Sequence, residues 1–122
     1  MTYYTKKHEW VKIINQKAVV GVSEYAASEL GDVTFVELPS VSDSVEGGEY
    51  LCTIESVKAA AEVYAPIGGT IAAVNKKLED DPQILNDSAE EAGWICKLDD
   101  YSEADLMELM DGKEYKEYLK TL

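Results

Sequence analysis

The run Ile54-Glu55-Ser56-Val57-Lys58-Ala59-Ala60-Ala61-Glu62-Val63-Tyr64-Ala65-Pro66 places one lysine where covalent chemistry is easily done. Tyr50 to Glu55 alternates, which predicts a half-buried strand with Tyr50, Cys52 and Ile54 on one face and Leu51, Thr53 and Glu55 on the other. Glu62-Val63-Tyr64-Ala65 resumes the extended pattern, and Pro66 with Gly68-Gly69 ends it. Lys58, the only charge from Ser56 to Ala61, falls at the tip between these strands. Any of the eleven lysines can be an ordinary solvated amine. What sets this one apart is its presentation, because a one-residue slip in either strand would turn the flanking side chains over. A modifying enzyme can thus recognise position as much as sequence.

The rest of the inventory is poor in reactive groups. A single histidine, His8, argues against a Ser-His-Asp or Cys-His system. Cys52 and Cys96 lie far apart, with no Cys or His at metal-ligand spacing, and read as small core residues with no metal site. There is no phosphate-binding glycine loop. The net charge of −13 is uneven: ten acids face seven lysines in residues 1–78, and fourteen face four in residues 79–122. Such a surface repels nucleic acid and favours partners with basic docking faces. No run approaches the roughly 20 apolar residues of a membrane span. The start, Met1 to Lys7, lacks the apolar core of a secretory signal, so a cytoplasmic bacterial or archaeal protein is expected.

Glu55-Ser56-Val57-Lys58-Ala59, followed by Tyr64-Ala65-Pro66 and Gly69, resembles the lipoyl-attachment hairpin of the glycine cleavage system H protein. The wider frame, Val45-Glu46-Gly47-Gly48 before it and Gly69-Thr70-Ile71-Ala72-Ala73-Val74 after it, is shared with lipoyl and biotinyl domains generally. Biotin carriers place Met on both sides of the lysine; Val57 and Ala59 stand here, so the resemblance implies lipoate. Tyr4-Thr5 with His8-Glu9-Trp10-Val11, and the run from Val20 through Ser23-Glu24-Tyr25-Ala26 to Pro39, also resemble H proteins, and the latter includes a helix that generic lipoyl domains lack. The resemblance extends from Tyr4 to Leu119. It departs at Ala61, where a small hydroxyl residue is usual, and at Ser88 to Trp94, which replaces a loop carrying a Pro-Tyr pair and an extra Gly.

The resemblance implies a non-catalytic carrier with lipoate in amide linkage to Lys58, lowering the net charge of −13 by one further unit. Its arm would take the aminomethyl group of glycine from the pyridoxal-phosphate-dependent glycine decarboxylase (P protein). It would pass that group to the folate-dependent aminomethyltransferase (T protein) and be reoxidised by dihydrolipoyl dehydrogenase (L protein). A lipoate ligase or lipoyl/octanoyl transferase would load it, and a monomer is expected. Glu9 and Glu62 are the implied cleft carboxylates, able to pair with a protonated amine. Three alternatives stand beside this: a lipoyl relay donor for 2-oxoacid dehydrogenases, an H-like carrier in another redox pathway, and a non-lipoylated interaction module.

The elements that must position Lys58 are mainly strands. One domain over 1–122 is expected, with a β-rich part over 1–100, short helices near 23–30 and 81–86, and C-terminal helices over 102–122. The implied fold is a flattened β-barrel or sandwich of the lipoyl type. Trp10 to Ile14 and Ala18 to Val22 read as a hairpin about Asn15-Gln16, and Trp10 as a core or cleft-wall ring. Ser23 is placed to cap a helix over Glu24–Leu30 that Gly31 ends, with Tyr25, Ala26 and Leu30 facing inward. Asp81 is expected as an N-cap before Pro82, with Asn86 closing that helix in the left-handed region. Ser102 is expected to cap a helix bearing Leu106, Met107, Leu109 and Met110, which Gly112 breaks, their stripe packing on the barrel.

Overall fold

The computed structural model describes residues 1–122. Nine strands and five helices follow in the order β1 (Thr2–Tyr4), β2 (Glu9–Ile14), β3 (Lys17–Val22), α1 (Glu24–Leu30), β4 (Val33–Glu37), β5 (Ser44–Val45), β6 (Tyr50–Ser56), β7 (Ala60–Tyr64), β8 (Gly69–Val74), α2 (Lys77–Asp80), α3 (Ile84–Asp87), β9 (Cys96–Asp99), α4 (Glu103–Leu106) and α5 (Gly112–Leu119). The strands form a six-stranded sheet, β1-β2-β3-β9-β8-β5, and a three-stranded sheet, β4-β6-β7. All pairings are antiparallel. The mainly-β fold is therefore realised in its sandwich form, because neither sheet closes. No helix is long and apolar enough to cross a membrane.

The core lies between the sheets. Val11, Val20, Leu98 and Ile71 from the larger sheet meet Cys52, Ile54 and Val63 from the smaller one, and Leu78, Leu85 and Leu106 from the short helices join the same cluster. Each such side chain is worth roughly 1.5–3 kcal/mol when fully buried. Asn15 and Gln16 both take positive φ, 50° and 65°, as a two-residue hairpin loop requires. Trp10 lies over Gly21, where an added Cβ would sit 2.8 Å from the indole, so only glycine fits there.

Four local expectations change. In β6 a register shift between Tyr50 and Cys52 breaks the alternation, so Leu51 and Cys52 are both buried and Tyr50 is exposed. Asp81 ends α2 instead of capping the next helix; Gln83 holds the cap position of α3 without a side-chain bond. Asn86 stays within α3, without a positive φ, because its amide is used in tertiary bonds described below. The Ser102 side chain makes no cap bond, and α4 stops at Leu106 as the chain turns to bring Met110 into a backbone bridge with Tyr4. Met107 is consequently 81% exposed and outside the core. The next helix starts sharply: Asp111 and Glu114 form a complete capping box at the head of α5.

Candidate functional site

Lys58 stands exposed at the tip between β6 and β7, in a turn set by Ser56. The Ser56 hydroxyl accepts from the N–H groups of Lys58 (3.3 Å) and Ala59 (3.2 Å) and donates to the Ala59 carbonyl (3.1 Å). Its backbone N–H reaches the same carbonyl at 2.8 Å. A local side-chain bond of this kind replaces the ladder where the strands end. Glu55 pairs with Ala60 just below the tip, exposed, while Val57 and Ala59 flank the lysine as exposed apolar groups.

A second layer holds the tip from outside. Val57 donates its N–H to the Asp32 carbonyl at 3.0 Å, tying the turn to the loop after α1. Asn86 brackets that loop, accepting from Val33 N–H (2.9 Å) and donating to the Gly31 carbonyl (2.7 Å). Gly31 has φ 75°, and a Cβ there would meet Lys58 Cε at 3.2 Å, so this glycine both ends α1 and clears the lysine stem. The Lys58 ammonium lies 3.5 Å from the Glu29 carbonyl, in the last turn of α1, and forms no salt bridge. Asn86 and Asp32 were not legible as site residues; sequence reasoning gave Asn86 a purely local part.

Beside α1 runs a cleft of about 270 Å³. Val22, Ala26, Leu30, Ile54, Ala61 and Val63 give it apolar walls, and Lys7, His8, Glu9, Tyr25, Glu29 and Glu62 its polar groups. The structure thus brings Glu9 and Glu62 to one cleft and places the Lys58 amine at its Glu29 side. Tyr25, Ala26 and Leu30, expected on one helix face, all line it.

The two carboxylates differ. Glu62 is exposed at the rim. Glu9 is only 3% exposed, not a solvated strand carboxylate. Its oxygens accept from Thr5 Oγ1 (2.6 Å) and Tyr64 N–H (3.4 Å), the pairing a buried charge needs. Burial pushes the Glu9 carboxyl above the ordinary glutamate range, while Thr5, the Tyr64 N–H and the Lys7 ammonium pull it back. Trp10, 1% exposed, lies on the face of β2 opposite Glu9, outside the cleft, and donates Nε1–H to the Ala89 carbonyl at 3.0 Å. That carbonyl belongs to the atypical segment Ser88–Trp94, whose Glu90 also accepts from the Tyr4 hydroxyl and from the first N–H of α1 (2.9 Å). This segment ties β1 and β2 to the start of α1, the helix that forms one wall of the cleft.

An exposed, unpaired lysine on a stiff tip, next to a narrow apolar cleft with carboxylates, suits a slender alkyl arm ending in an uncharged ring. The glycine cleavage H-protein family model matches residues 2–122. A probable glycine cleavage system H protein of Pyrococcus furiosus is 52% identical, covering 98% of this chain and 90% of that one. The glycine cleavage system H protein of Thermotoga maritima is 46% identical, covering 97% and 95%. The crystal structure of a Mycobacterium marinum glycine cleavage system H protein superposes with a TM-score of 0.87 at 31% identity, covering 98% and 96%. The chain belongs to the glycine cleavage H-protein family, whose members are lipoyl carriers and non-catalytic components of the glycine cleavage system.

Proposed function

We propose that this chain is a cytoplasmic, monomeric carrier of the glycine cleavage system, with lipoate bound in amide linkage to Lys58 Nζ. The observation that carries this is the junction of an exposed Lys58 tip with the Glu9–Glu62 cleft along α1. A lipoyl group there would supply a redox-active disulfide, able to accept the aminomethyl unit of glycine at the P enzyme, yield it at the T enzyme and, as the resulting dithiol, be reoxidised by the L enzyme. The chain's own residues do the remaining work. Ser56 and Asp32 fix the turn, so that a ligase or transferase meets the amine in one geometry. Tethering then raises the arm's effective concentration at each partner. The apolar walls would shield a bound arm from water, and Glu9 and Glu62 would offer a carboxylate to a protonated amine. Glu55, exposed beside the tip, adds to the acidic surface that a basic partner would meet.

Intact mass after expression with lipoate and a lipoate ligase tests this. The parent is expected to gain one lipoyl group and Lys58→Ala none. A folded parent that gains nothing would make the chain a non-lipoylated interaction module.

A further inference from the structure

One cluster of side chains joins the cleft to the far end of the chain. Tyr115, on α5, is buried, and its hydroxyl lies 2.8 Å from His8 Nδ1 and 2.7 Å from Ser23 Oγ. His8 and Ser23 face each other just beyond the β2–β3 ladder, where Ser23 N–H donates to the His8 carbonyl at 2.8 Å. His8 lines the cleft, and Ser23 caps α1, which forms another of its walls. Around this tie the C-terminal segment holds the residues between β1 and β2. The Tyr115 ring stacks on Tyr4 at 4.2 Å, Tyr4 exchanges two backbone bonds with Met110 (2.8 and 3.0 Å), and the Tyr118 hydroxyl donates to the Lys6 carbonyl at 3.3 Å. That loop carries Lys7 and His8 into the cleft and leads directly to Glu9.

His8 is held in an unusual state. Its φ of 71° is a conformation that a non-glycine residue keeps only when its surroundings enforce it. Its ring sits 4.7 Å from that of Tyr25, across the cleft wall. With Ser23 Oγ accepting from Ala26 N–H at 3.1 Å and giving its own proton to Tyr115, one of the two directions open to that pair, Tyr115 donates to Nδ1. In that order of bonds the imidazole carries its one proton on Nε2; burial favours the neutral ring, against the pull of Glu29.

We propose that Tyr115 is a positioning residue of the arm cleft: α5 braces the wall by fixing the His8 imidazole, so retention of the arm's cargo depends on the C-terminal helix. This rests on the carrier reading above.

Tyr115→Phe tests it, since the ring and its stacking stay and only the hydroxyl is removed. The first readout uses unlipoylated protein. His8 is the only histidine, so its ring nitrogen resonances are unambiguous. The parent is expected to show the Nε2–H form, and the variant a mixture of tautomers. The second readout follows, by intact mass, hydrolytic loss of an aminomethyl group loaded by glycine decarboxylase; one water is consumed, and dithiol, formaldehyde and ammonium are returned. The variant should gain lipoate like the parent but lose the group at least about fivefold faster, roughly the worth of one net hydrogen bond. An unchanged lifetime, or an unchanged His8 spectrum, overturns the proposal. A parent that takes no lipoate, or that loses its group as fast as free loaded lipoamide, overturns the carrier reading and this proposal with it. If Tyr115→Phe does not fold, Ser23→Gly removes, at little capping cost, the hydroxyl that sets the direction of the Tyr115–His8 bond; it must give the mixed His8 tautomers, and an unchanged His8 spectrum there overturns the proposal.

Discussion

The tip that carries Lys58 and the cleft beside it solve opposite problems. The tip is exposed, built from small residues, and held almost wholly by backbone bonds and one serine hydroxyl. The cleft is half-enclosed, lined with aromatic and apolar side chains, and has one carboxylate nearly withdrawn from water. A modification site must be reachable by several enzymes, so it needs a defined geometry without a side-chain shell. A protective site must keep water away from what it holds, and that takes side chains from distant segments. On the proposed carrier function, recognition and retention would therefore be separable on this molecule.

Substitutions in the cleft test that separation most strongly. Glu9→Ala and Glu62→Ala should leave lipoylation intact yet speed hydrolytic loss of the loaded aminomethyl group. A charge-assisted hydrogen bond is worth about 1.5–3 kcal/mol, roughly 10- to 100-fold in rate, and the buried Glu9 should show the larger change. Unchanged lifetimes in both variants would remove the carboxylates from the site, and loss of lipoylation would merge the two regions into one. Gly21→Ala drives a methyl into the Trp10 ring, on the face of β2 away from the cleft, and should cost about 1–3 kcal/mol, read as a lower urea midpoint. Lys58 should still be lipoylated in the folded fraction.

At the tip the expected effects are smaller. Ser56→Ala removes a half-exposed hydroxyl and should cost about 0.5–1.5 kcal/mol. Its sharper signature is slower lipoylation with an unaltered lifetime of the loaded group. A shortened lifetime would mean that the turn also shapes the cleft. The slightest effect concerns protons. Because Glu9 binds its proton more tightly folded than unfolded, it stabilises the fold fully below the ordinary value of 4.5, and this contribution is lost as pH rises through the raised folded value. Urea midpoints of the parent should carry this downward slope above pH 4.5, and Glu9→Gln should lack it. A parent with the same slope as the variant would show that Glu9 is not perturbed.

The sequence by itself determined the hairpin, the place of Lys58 at its tip, the family and the mainly-β architecture. Those features rest on short-range rules: period-2 alternation, the small residues flanking Lys58, and a serine placed to cap α1. Even there, the register shift at Leu51 overruled the alternation, because partner strands and not the strand's own pattern decide where a bulge falls. Only the tertiary structure decided the rest. It buried Glu9, set Asn86 against the loop that supports Lys58, laid the Ser88–Trp94 segment behind Trp10, and carried Tyr115 back to His8. These contacts span tens of residues along the chain, and no local spacing encodes them. A side chain's surroundings, and hence its charge state and chemical use, are set by whichever segments the folded core brings against it.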